Sequence, residues 1–141
     1  LKKKPLILII LLALFLFSWF IISINQPPEW EGTSSSGIWK TTFEDEYSPK
    51  GFWNGFFTWN GVETITVTKI SLTRNDIEIH GWEKDETLEP KTSYNYLTTT
   101  NTFDNKKDKY ILTIYWNDNK DQHFEAIHLL PKTRYFVFPK F

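Results

Sequence analysis

Three histidines, His80, His123 and His128, are the first residues to question for chemistry, because a metal or acid–base site needs at least two of them beside carboxylates. His123 and His128 lie five apart, so in one regular strand they point to opposite faces. His80 is expected to face outward. Ser34, Ser35 and Ser36 fall in a stretch too flexible to hold a base beside a nucleophile, and the sequence has no G-x-S-x-G. Residues 44–46 and 83–89 carry the paired carboxylates of a glycosidase, but both are expected in turns, where charge is ordinarily solvated. Residues 104–108 and 117–121 offer oxygen ligands for calcium, yet neither has EF-hand spacing and Lys106, Lys107 and Lys120 oppose a divalent cation. The sequence therefore predicts no catalytic residue, no metal ligand and no cofactor, and the chain is expected not to be an enzyme.

Aromatic residues make a stronger claim on function. Within residues 51–60, Phe52, Trp53, Phe56, Phe57 and Trp59 occupy both faces of one strand, although one face of a half-buried strand normally meets solvent. Tyr94 with Tyr96, and Tyr115 beside Trp116, repeat the theme. Some of these rings must be exposed, covered by a loop, or part of an interface. Trp53, Trp82 and Trp116 are the candidate ligand-binding residues, as stacking platforms for a carbohydrate or cell-wall polymer.

The elements that would carry these rings are strands. From Ile38 onward, short segments rich in Val, Ile, Thr and aromatics alternate with turn clusters, the pattern of an all-β fold. Strands are predicted over 38–44, 51–59, 63–73, 77–83, 93–98, 110–116, 123–130 and 134–138. Asn60-Gly61 has the composition of a type I′ hairpin turn, and residues 74–76 and 117–121 are further hairpin loops. A longer crossing is expected within 84–91 or 99–109. Alternation points Trp39, Phe43, Phe57, Trp59, Ile65 and Val67 inward, joined by Ile77, Ile79, Leu112, Ile114, Trp116, Phe136 and Phe138. The apolar phase slips between Val67 and Ile70, which predicts a β-bulge near Thr68 or Lys69. The expected architecture is an antiparallel β-sandwich, immunoglobulin-like in size and strand count.

In front of this domain, Lys2, Lys3 and Lys4 precede an uncharged run of 19 residues from Leu6 to Ile24. At about 1.5 Å per residue it covers roughly 28 Å, close to the hydrocarbon thickness of a bilayer. Residues 1–24 thus read as one N-terminal transmembrane helix, or alternatively a signal peptide. The lysines place the N-terminus in the cytoplasm and everything after Asn25 outside it, with secretion as the outcome if the segment is cut. The bulky residues Trp19, Phe20 and Ile22 crowd a cleavage site after Ser23, which favours retention. Residues 25–37, with Pro27, Pro28, Gly32 and the serines, read as a tether, and 38–141 as the extracytoplasmic domain. With no cysteine, the domain must stand on packing alone. Outside the anchor 13 basic residues face 17 acidic ones, a balance that gives no reason to bind nucleic acid.

The runs Gly37-Ile38-Trp39-Lys40, Gly51-Phe52-Trp53-Asn54-Gly55 and Trp59-Asn60-Gly61 resemble those of uncharacterised single-span, membrane-anchored proteins of low-GC Gram-positive bacteria. The resemblance covers about the first third of the external domain. It implies an anchored β domain of unknown function and transfers no site residue. The expected function is a non-enzymatic binding or interaction domain. Its expected partner, besides the membrane, is a cell-wall polymer or a membrane protein, and a small carboxylate-dependent hydrolase ranks last. The sequence sets no oligomeric state.

Overall fold

The computed structural model describes residues 3–48 and 50–138. The uncharged run forms a single helix, α1 (Lys3–Ile24), long and apolar enough to cross a membrane. Its leucines, isoleucines and phenylalanines stand exposed along nearly its whole length. Eight strands follow: β1 (Glu29–Thr33), β2 (Trp39–Asp45), β3 (Trp53–Trp59), β4 (Ile65–Arg74), β5 (Ile77–Leu88), β6 (Ser93–Thr99), β7 (Tyr110–Asn117) and β8 (Gln122–Lys132).

All pairings are antiparallel and the strands form one sheet in the order β5-β4-β7-β8-β1-β2-β3-β6, curled nearly into a barrel. The all-β antiparallel character agrees with the sequence reading. The arrangement as two packed sheets does not, because β1 pairs with β2 on one side and β8 on the other. That strand lies in the stretch read as a tether. Its Gly, Ser and Pro composition hides one decisive residue, Trp30, whose ring is fully buried opposite Phe43 and Pro131. Burying an aromatic of this size removes roughly 150–250 Å² from water, enough to draw a five-residue segment into the sheet.

Large rings fill the barrel. Trp39, Phe57, Trp59 and Trp116 pack together, and Phe43, Trp53, Phe103 and Tyr110 form a second group, with Phe103 carried in by the long β6–β7 connection. Gly55 makes this possible, because a Cβ there would lie 2.5 Å from the Tyr96 ring and 2.8 Å from that of Phe43. The bulge expected near Thr68 is present, as the register of β4 shifts between Val67 and Lys69 against both neighbours. The two-residue turn Asn75-Asp76 joins β4 to β5 with φ of 50° and 68°, the positive pair that a type I′ hairpin needs.

Three expectations fail for identifiable reasons. Asn60-Gly61 closes no hairpin, since β3 pairs with β2 and β6 while β4 pairs with β5 and β7. Gly61 instead lies under the Trp59 indole, where an added Cβ would come within 2.0 Å of the ring. The longer crossing, by contrast, takes the second of its two expected places, the connection from Thr99 to Tyr110, because strand β5 runs on to Leu88. Ile77 and Ile79 are exposed: His80 and Trp82 take the core-side positions of this edge strand opposite Leu72 and Ile70, and Ile77 lies at its end opposite Arg74. Residues 134–138 form no strand, and Phe136 and Phe138 pack outside the barrel against α1.

Candidate functional site at the seam between β5 and β6

Strands β5 and β6 are the two edges of the sheet, and no backbone ladder joins them. The seam between them is bridged by side chains. In the β4 register Leu88, Glu86, Trp82 and His80 stand opposite Ile65, Val67, Ile70 and Leu72, so they share the face that elsewhere forms the core. His80 thus points toward the seam, not outward as expected, and its Nε2–H donates to the Tyr96 carbonyl oxygen at 3.0 Å.

Beside this bridge, Trp82 and Tyr94 meet edge to face with centroids 6.2 Å apart. The Lys84 ammonium lies 5.1 Å from the Trp82 ring centre and 5.5 Å from that of Tyr94. It also donates to Glu86 Oε1 at 2.7 Å and to the Tyr94 hydroxyl at 2.9 Å, and that hydroxyl donates to Glu86 at 3.0 Å. The bond to Lys84, and then that to Tyr94, hold Glu86 below the usual carboxylate range, while Glu86 and then Tyr94 raise Lys84. Both groups stay ionised across the physiological range. Tyr94 in turn stacks on buried Phe57 at 5.4 Å, so the cluster rests on the core.

Of the three tryptophans singled out as stacking platforms, Trp53 and Trp116 are 3% and 6% exposed and belong to the barrel core, where neither ring has a free face. Trp82 is half-buried at the seam. In the sequence Tyr94 stands out only as one of the surplus aromatics and Glu86 only as part of the acidic run 83–89, with nothing joining them and Lys84 to Trp82. The spacing Trp82-x-Lys84-x-Glu86, with all three side chains on one side of an extended strand, was the available signal.

The remaining chemistry-bearing groups are tied into structure. Ser34, Ser35 and Ser36 are held in a turn in which Ser34 Oγ accepts from the Trp39 N–H. Glu125 accepts from Ser35 Oγ at 3.1 Å and from Ser36 N and Oγ at 3.0 and 2.7 Å. Burial pushes this carboxyl up, but the serine donors outweigh it and leave it below its ordinary value. His123 donates to Asp118 Oδ2 at 2.8 Å and lies over the Trp116 ring, and His128 is exposed. Glu44 and Asp45 close strand β2, and most of 83–89 is strand β5, so neither acidic run is a turn. Burial and then Glu29 raise Glu44. Asp108 is engaged by Asn75 and Arg74, and Asp118 by the N–H groups of Lys120 and Asp121, in the manner of loop carboxylates. Among the described residues no group of three His, Asp or Glu side chains is placed to hold a metal ion.

The fold and seam define a helix-tethered aromatic β-barrel with a partly polar open edge. No protein-family model matches the chain, and neither a curated protein nor a solved structure matches it.

Proposed function

We propose that this chain is a non-enzymatic binding domain, anchored by α1 in the cell membrane and displayed on its extracytoplasmic side. The exposed apolar surface of α1 and the lysines at its start support the anchorage and the orientation. The barrel interior is occupied by its own rings, so recognition falls to the surface. The observation that carries the reading is the seam cluster, in which a half-buried Trp82 lies beside Tyr94 and a charged Lys84–Glu86 pair. An aromatic face beside fixed donors and acceptors suits a sugar ring, whose C–H face stacks while its hydroxyls hydrogen-bond. A cell-wall polymer is the ligand class that this chemistry fits. This proposal keeps the likeness to anchored proteins of low-GC Gram-positive bacteria.

A second reading rests on a different observation. Ile77 and Ile79 are 70% and 41% exposed on edge strand β5, the kind of strand that pairs with an extended segment of another protein. The test is co-sedimentation of the full chain in phospholipid vesicles with purified wall polymer. Saturable binding lost in Trp82→Ala and kept in Ile77→Lys supports the sugar reading. Absence of binding, with a specific cross-link from position 77 to a membrane protein, would replace it with the second.

A further inference from the structure

After β8 the chain returns to α1. Arg134 donates to the Pro27 carbonyl oxygen through Nε at 3.2 Å and Nη2 at 3.0 Å, fixing the turn at the helix exit. Tyr135 stacks on Phe20 at 5.8 Å, Phe136 meets Trp19 edge to face at 5.3 Å, and Phe138 lies 5.6 Å from Trp19. Phe138 also shares an apolar groove with Phe15, Ser18, Trp19 and Ile22. Trp19 precedes Ile24 by five residues, so at about 1.5 Å per residue it sits roughly 8 Å below the outer end of the helix. The segment therefore descends alongside the apolar run instead of stopping above it.

We infer that residues 134–138 are a second membrane-binding element, whose partner is the outer leaflet of the phospholipid bilayer. The inference rests on the reading of α1 as a membrane span and deepens it. Three observations carry it. Tyr135, Phe136 and Phe138 remain 61%, 46% and 69% exposed although packed on the helix, and their free faces continue the exposed apolar surface of α1. Aromatic rings at this depth are the side chains that favour the boundary between headgroups and acyl chains. Irregular backbone is costly inside a bilayer unless its polar groups are paired. Here the Val137 N–H donates to Ser23 Oγ at 2.8 Å, and the Val137 carbonyl accepts from Trp19 Nε1 at 2.9 Å. Ser23 and Trp19, polar side chains in an otherwise apolar stretch, thus satisfy both backbone groups of Val137. Ser23 is fully buried by this contact, which makes α1 a structural partner of the segment and argues that α1 is retained in the mature protein.

The chain has no cysteine, so single nitroxide labels report depth directly. The full chain is reconstituted in phosphatidylcholine–phosphatidylglycerol vesicles with a label at Phe138→Cys, at Leu11→Cys within the span, or at Val62→Cys on the exposed barrel surface. Collisions with oxygen and with a water-soluble nickel chelate are compared. The expected result is a several-fold higher oxygen-to-nickel ratio at 138 than at 62, approaching that at 11. In a Ser23→Ala background the label at 138 should become more mobile and more accessible to nickel. A ratio at 138 equal to that at 62, with 11 protected, overturns the inference and leaves the span intact. An aqueous signal at 11 overturns the span, and the inference with it.

Discussion

The indole nitrogen of Trp30 donates to the carbonyl oxygen of Phe103 at 2.8 Å, joining the first strand to a loop 73 positions later. The bond is buried, and both rings touch Tyr110, so one contact seals the junction where β1 completes the sheet. Replacing Trp30 by Phe removes the donor, leaves the Phe103 carbonyl buried without a partner, and opens a void. The expected cost is about 2–4 kcal/mol. It would be read as a lowered urea midpoint of the full chain in detergent, and an unchanged midpoint would show that β1 is dispensable.

Gly61 separates two physical accounts of one dipeptide. If it served a type I′ turn, Gly61→Asn would be tolerated, since Asn adopts positive φ readily. Because the Trp59 ring occupies the space of a Cβ, Gly61→Asn and Gly61→Ala are both expected to destabilise, by about 1–3 kcal/mol. Equal stability of the Asn variant and the parent in thermal melts would restore the hairpin account.

Tyr96 carries a buried hydroxyl that faces Thr41 without a hydrogen bond of good geometry, while the Thr41 hydroxyl itself donates to the Phe56 carbonyl at 2.8 Å. Burial pushes its ionisation far above the ordinary phenol range, so it stays neutral. Tyr96→Phe keeps the ring stacked on Phe57 and removes the unsatisfied oxygen. The variant should match or exceed the parent, by up to about 1 kcal/mol. A clear loss of stability would reveal a bond that the hydroxyl does make.

Asp118 supplies the pH dependence. Backbone N–H groups of Asp121 and Lys120, then the His123 side chain, lower its carboxyl from the ordinary value of 3.8 to about 2. A carboxyl depressed by folding stabilises the native state at pH values above its unfolded value, and that contribution fades as pH falls toward the folded one. Asp118→Asn should therefore be less stable than the parent at pH 6, and the gap should narrow between pH 4 and pH 2. Urea midpoints of both proteins across that range decide it, and a gap that stays constant would sink the assignment.

Much of the barrel was legible because period-two alternation survives in β2, β3, β4 and β7, where Trp39, Phe43, Phe57, Trp59, Ile65, Val67, Leu112, Ile114 and Trp116 all face the core as expected. What was hidden has a common physical character. Strand β1 owes its place to long-range burial of one residue, Trp30, and local composition there favours a coil. The facing of β5 is set by its pairing with β4, which puts His80 and Trp82 opposite Leu72 and Ile70, and the isoleucines of β5 alone suggest the reverse. The seam tryptophan was readable as a type but not as a position, because burial of Trp53 and Trp116 and exposure of Trp82 follow from sheet order. The phase slip at Thr68 was legible, since a bulge leaves its mark in one strand alone.

The linker from α1 to β1 is only residues 25–28, and Arg134 clasps it at Pro27. Four extended residues reach no more than about 14 Å. A barrel on so short a stalk cannot sweep a hemisphere. With α1 spanning the membrane as proposed, it would explore its surroundings by lateral diffusion, every copy holding its seam at one height and one tilt. A polymer lying parallel to the membrane would then meet many seams in phase, and weak single contacts would sum into strong retention, because each binding event raises the effective concentration for the next.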